Sequence, residues 1–84
     1  MSKVVSAATF NAWVDACANE IVMSSNIRAE ITYLIINRGS THEIASYLYH
    51  NASTTFTVEE CISSHATLFE AVDAMVVLLK NHKE

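Results

Sequence analysis

Proline is absent from these 84 residues, glycine occurs once, and charged side chains make up only 17% of the chain. Turn-rich β architectures draw heavily on proline and glycine, so their scarcity disfavours that class. The shortage of charge, set against 51% hydrophobic residues, excludes a disordered tail, which needs the reverse balance. No apolar run approaches the roughly 18–20 residues of a membrane span. The longest, Ala74 to Leu79, has six. The opening residues Met1 to Ser6 are too short and too polar for a secretion signal. Cysteine is scarce as well. Cys17 and Cys61 stand far apart within apolar stretches, and without an export signal they read as reduced core residues of a cytoplasmic protein. Asn51-Ala52-Ser53 fits a glycosylation acceptor only by chance if the chain is not exported.

Five Lys and Arg against nine Asp and Glu give a formal net charge of −4. Such a surface repels phosphate backbones and anionic membranes. The basic residues Lys3, Arg28, Arg38, Lys80 and Lys83 are scattered or terminal rather than gathered on one face. A chain this short buries about 60–65% of its unfolded surface, so it reads as one compact unit over 1–84 that gains from a partner.

The periodicity of apolar residues predicts helices throughout. Phe10, Trp13, Val14, Cys17 and Ile21 recur at spacings of three and four, placing a first helix from near Thr9 to about Met23. Phe10 and Trp13 are expected to close that helix over the core. Ser24-Ser25-Asn26 interrupts, and a second set follows in Ile27, Ile31, Leu34 and Ile35. The β-branched run Ile31 to Ile36 also suits a strand. Gly39 occupies the position expected of a left-handed residue closing a helix. Ser40-Thr41-His42-Glu43 has the form of a capping box, opening a short helix with Ile44, Tyr47 and Leu48 that ends around His50-Asn51. Thr57-Val58-Glu59-Glu60 repeats the form. From Val58 to Asn81, Val58, Ile62, His65, Phe69, Val72, Val76 and Leu79 alternate four and three residues apart, with Cys61, Leu68 and Met75 beside them. One unbroken helix here would be about 36 Å long. Two apolar stripes on one helix predict a bundle contact and a second-subunit contact together.

Catalytic constellations are hard to find. Cys61 and His65, four apart, would share a helix face as two metal ligands or as a nucleophile and its base. Both fall in the apolar seam, however, and no third residue orients them. Glu59 and Glu60 point about 100° apart on a helix, and a cap accounts for them. No enzyme activity, cofactor or metal is therefore expected. His42 and His50 read as solvated. His65 is the candidate pH-sensitive residue, since charging it in an apolar seam would weaken an interface in mild acid.

One longer pattern carries a resemblance. Arg28-Ala29-Glu30-Ile31-Thr32-Tyr33-Leu34-Ile35-Ile36 leads to Gly39-Ser40-Thr41-His42-Glu43-Ile44-Ala45-Ser46-Tyr47-Leu48, and then to Thr57-Val58. Residues 28–62 resemble the helices of helix-turn-helix and winged-helix domains, which implies a tri-helical core with its recognition helix opening at Thr57. Two features depart from that pattern. The segment from Leu48 to Thr57 is longer than the usual turn, and the would-be recognition helix starts with two acids and has no Arg or Lys before Lys80.

The sequence thus predicts a single all-α domain, a small bundle of about four helices with a long C-terminal one. Its expected role is that of a non-enzymatic, cytoplasmic regulator or inhibitor that binds another protein and associates as a homodimer. Ile62, Phe69, Val72, Val76 and Leu79 are the expected interface. The alternative is a dimeric helix-turn-helix DNA-binding regulator; a membrane role is not expected.

Overall fold

A computed structural model of the protein describes residues 2–25 and 31–81. It shows five strands and two helices: β1 (Ser2–Ser6), α1 (Ala7–Cys17), a single 3-10 turn (Ala18–Glu20), β2 (Ile21–Ser25), β3 (Ile31–Asn37), β4 (His42–His50), β5 (Thr55–His65) and α2 (Leu68–Asn81). The strands form one antiparallel sheet in the order β1-β5-β4-β3-β2. This overturns the all-α bundle and its four helices. The part of the second apolar set that starts at Ile27 lies outside the described residues.

The reason lies in burial on two faces. Strands β3 and β4 are interior, and Tyr33, Leu34, Ile35 and Ile36 are buried in succession, as are Ile44, Ala45 and Ser46. A strand covered on both sides is a continuous apolar run, and over a short stretch such a run also satisfies helical spacing. Ile44, Tyr47 and Leu48, which suggest one helix face, in fact divide between the two sides of β4. Register settles the sides. Leu34 faces Ala45 and Ile35 faces Ile44 across the β3–β4 ladder. The first pair belongs to a cluster with Cys17, Ile36, Trp13, Ile21 and Tyr47. The second belongs to a cluster with Tyr33, Ala71 and Met75. Each helix therefore covers its own face of the sheet.

Helix α1 carries the chain across the sheet. Strands β1 and β2 point the same way and sit at opposite edges, four inter-strand steps or about 19 Å apart. Eleven helical residues span about 16 Å, and the 3-10 turn supplies the rest. Ser6 rather than Thr9 caps the helix, its Oγ accepting from the Thr9 N–H at 3.2 Å. Phe10 and Trp13 do face the core as expected, Phe10 buried and stacked on Phe56 at 3.8 Å between ring centroids.

The long C-terminal helix is interrupted. Residues 58–65 belong to β5, and α2 is only 14 residues, about 21 Å. Its cap is Thr67, whose Oγ1 accepts from the Glu70 N–H at 3.1 Å while Glu70 Oε1 accepts from the Ala66 N–H at 3.2 Å. The boxes at Ser40 and Thr57 cap nothing: Glu43 pairs with Arg38, and Thr57 is inside β5. Gly39 does adopt a left-handed φ of 95°, in the β3–β4 turn rather than at a helix end, with its N–H donated to Asn37 Oδ1 at 2.8 Å. Among the described residues the segment resembling helix-turn-helix proteins forms β3, β4 and most of β5, so no tri-helical core and no recognition helix are present. No described helix is long and apolar enough to cross a membrane.

Candidate interaction surface

Helix α2 is apolar over more of its circumference than the sheet covers. Ala71 and Met75 are buried, and Val72, Ala74, Leu78 and Leu79 pack beside them against Tyr33, Ile35 and Ile44. Four further apolar residues stay in solvent: Leu68, Phe69, Val76 and Val77, with Phe69 82% exposed and Val77 54%. At 100° per residue, Leu68, Leu79, Val72, Val76 and Phe69 form one flank that continues from the buried stripe to the outer face. Asp73 and Lys80 lie at the centre of that outer face, with Glu70 and Val77 on the opposite flank. Charge is graded along the helix, acidic in Glu70 and Asp73 and basic at Lys80.

The five expected interface residues separate accordingly. Ile62 lies on β5 and packs into the core cluster, and Val72 and Leu79 are partly buried there as well. Phe69 and Val76 are on the surface. Leu68 beside them and Val77 on the opposite flank are exposed too but fall outside the heptad seam. A seam extrapolated from β5 into α2 carried the wrong phase, and counting from the Thr67 cap alone recovers them.

The chemistry expected of Cys61 and His65 depends on a helix that is not there. On β5 their four-residue separation spans about 13 Å, so they meet neither as ligands nor as a nucleophile and base. Cys61 is exposed rather than a core residue, while Cys17 is buried as expected. Burial, the largest influence, pushes the Cys17 thiol up, with Arg38 acting in the opposite direction. Glu60 pairs with Lys3 at 2.8 Å across the β1–β5 ladder. His42 and His50 are half-buried rather than solvated, and His50 Nε2 hydrogen-bonds Thr57 Oγ1. His65, at the end of β5, faces His42 in register and holds Ser63 Oγ at 2.8 Å through Nε2.

Comparison with protein-family models, curated proteins and solved structures finds no match to this chain. The outer face of α2 therefore has to be read from its own composition. An apolar residue fully exposed forgoes about 1.5–3 kcal/mol available on burial, and here several are contiguous.

Two shallower features compete with this face. A cleft of about 320 Å³ between β1 and β5 is lined by Ser2, Lys3, Glu60 and Cys61. Its charges already neutralise one another through the Lys3–Glu60 pair. Along the opposite edge, Val22 and Met23 of β2 are exposed. The register shifts between Ile21 and Met23, so Val22 bulges out of the ladder and bends that edge.

Proposed function

We propose that this chain is a non-enzymatic, protein-binding regulator or inhibitor of the cytoplasm that works as a homodimer, paired through the outer face and apolar flank of α2. The observation that carries the reading is the exposure of Phe69, Val76 and Val77 on a helix whose opposite side already fills the core. A two-fold interface sets the same patch against itself. Antiparallel pairing of two α2 helices brings Glu70 and Asp73 of one copy towards Lys80 of the other, which matches the charge gradient along the helix. A standard interface covers about 800 Å² per partner. That is roughly one seventh of this protein's 5279 Å² surface. Free thiols at Cys17 and Cys61 suit a reducing compartment.

DNA binding has less in its favour. Arg38 is engaged by Glu20 and Glu43, each at 3.2 Å, and Lys3 by Glu60. That leaves little free positive charge on the described surface of an acidic chain.

Sedimentation of the full chain over a concentration series tests the proposal. The expected result is a dimer at micromolar concentration for the wild type and a monomer for Phe69→Asp. A wild type monomeric throughout the series would assign this face to a different partner and defeat the homodimer. A dimer that survives Phe69→Asp would place the interface elsewhere.

A further inference from the structure

Apart from α2, one pair of side chains stands out at the end of the sheet. His42 and His65 are register partners on β4 and β5, at the end of the sheet from which the chain turns into α2. Both fall on the α2 side, because Ile44, two residues along, faces Ser63 and belongs to the α2 cluster. Directly opposed residues in an antiparallel ladder hold their Cβ atoms about 4.5–5.5 Å apart. Two imidazoles at that separation reach one ion at the usual 2.0–2.1 Å metal–nitrogen distance.

The nitrogens are arranged unequally, in a way that suits such an ion. His42 Nδ1 is buried and has no hydrogen-bond partner among the described residues, a state that costs stability unless something satisfies it. In the tautomer with its proton on Nε2, His65 donates to Ser63 Oγ and leaves Nδ1 as the basic nitrogen. That is the usual supporting arrangement for a ligating histidine, whose second nitrogen donates to a neighbour that fixes the ring. Asn37, next in the same row across the ladder, is engaged, its Oδ1 accepting from the Gly39 N–H.

We propose that His42 and His65 form a two-imidazole site for a divalent transition ion of the zinc, nickel and copper class, with Ser63 orienting His65. No group of three or more His, Cys, Asp or Glu able to hold a metal occurs among the described residues. Water completes the coordination, which makes this a site of modest affinity that clips the ends of β4 and β5 together beneath the start of α2. Imidazole ligands favour copper over nickel and zinc, and exclude magnesium and calcium. Ligation takes the lone pair of a neutral imidazole on each side.

Calorimetric titration of the full chain with zinc chloride, then with magnesium chloride, tests the site. The expected outcome is one zinc per chain with no magnesium binding. His42→Gln and His65→Gln should each weaken zinc by tenfold or more, Ser63→Ala by less, and His50→Gln not at all. Ring signals of His42 and His65, and not of His50, should broaden with substoichiometric nickel in proton NMR. His65→Gln alone keeps the question answerable should His42→Gln fail to fold. Zinc affinity unchanged in His65→Gln, or no zinc binding by the wild type, would overturn the proposal. Neither result bears on the α2 dimer, which the sedimentation series decides separately.

Discussion

Ile44 and Phe69 are both large apolar side chains on the α2 side of the sheet, and their environments differ in every respect. Ile44 has no exposed surface and touches the cluster that α2 closes. Truncating it leaves a cavity that the rigid β3–β4 ladder cannot collapse into. Ile44→Ala is expected to cost about 2–5 kcal/mol, read as a fall in denaturant midpoint with an unchanged slope. Phe69→Ser should change the stability of the monomer by less than about 0.5 kcal/mol, because the side chain is 82% exposed. If both variants lose stability equally, α2 is not oriented as described. The cysteines divide the same way. Cys61 is open to reagents, whereas burial protects Cys17 and pushes its thiol up. A thiol reagent at pH 8 should titrate one group quickly and the second only on unfolding. The raised Cys17 value also has a sign in stability. Above the ordinary thiol range near 8.5 the unfolded chain ionises first, so stability declines as pH rises from there until the folded thiol ionises too. Cys17→Ala should flatten that alkaline decline.

At the scale of elements, the decisive local signal is Thr67-Leu68-Phe69-Glu70. It has the same sequence form as the two at Ser40 and Thr57, and among the described residues only this one caps a helix, Thr67 Oγ1 accepting from the Glu70 N–H while Glu70 reaches back to the Ala66 N–H. Thr67→Ala is expected to cost about 1 kcal/mol, while Ser40→Ala, at the β3–β4 turn, should cost only a few tenths. Chemical denaturation of the two variants side by side checks the assignment, and equal losses would contradict it. The comparison also shows what was legible in the chain. The run 31–36 reads first as part of a second helix, with its β-branched residues leaving a strand as the lesser alternative, and it forms β3. Phe10, Trp13 and Cys17 carried a correct amphipathic signal for α1. What could not be read was β4 and β5. Their apolar residues fall by coincidence at spacings of three and four; in β4 both faces are buried at Ile44 to Ser46, while β5 buries only Val58 fully and mixes Glu, Cys and Ser among its apolar residues. The bulged register between Ile44 and Ser46 against β5 blurs alternation further. Of the candidate interface, Phe69 and Val76 were legible from composition on a true helix. Val77 was not, because the helix phase was counted from β5. The His42–His65 pairing was invisible for a different reason, since 23 residues separate two strands that only the ladder brings together.

At the scale of the whole molecule, β1 and β2 are the outermost of the described strands, and the two edges are treated differently. β1 is five residues long and carries Lys3, a charge that discourages pairing with another chain. β2 is equally short but has no charged residue, and its exposed Val22 and Met23 are kept from forming a flat edge chiefly by the bulge between Ile21 and Met23. A second copy thus has two apolar places to meet the first, the β2 edge and the outer face of α2. Geometry separates them. Edge pairing extends the ladder by backbone hydrogen bonds and tolerates a changed side chain on α2, whereas helix pairing depends on Phe69 and ignores the edge. Met23→Lys places a charge on the edge without entering the core. The α2 dimer is expected to persist in Met23→Lys with unchanged dissociation in sedimentation, while light scattering on heating falls because unfolding chains lose an uncharged edge to template on. A Met23→Lys protein that is monomeric where the wild type is dimeric would move the interface from α2 to β2. The opposite pairing of results, monomer with Phe69→Asp and dimer with Met23→Lys, leaves the sheet edge guarded by its bulge alone and assigns association to the helix.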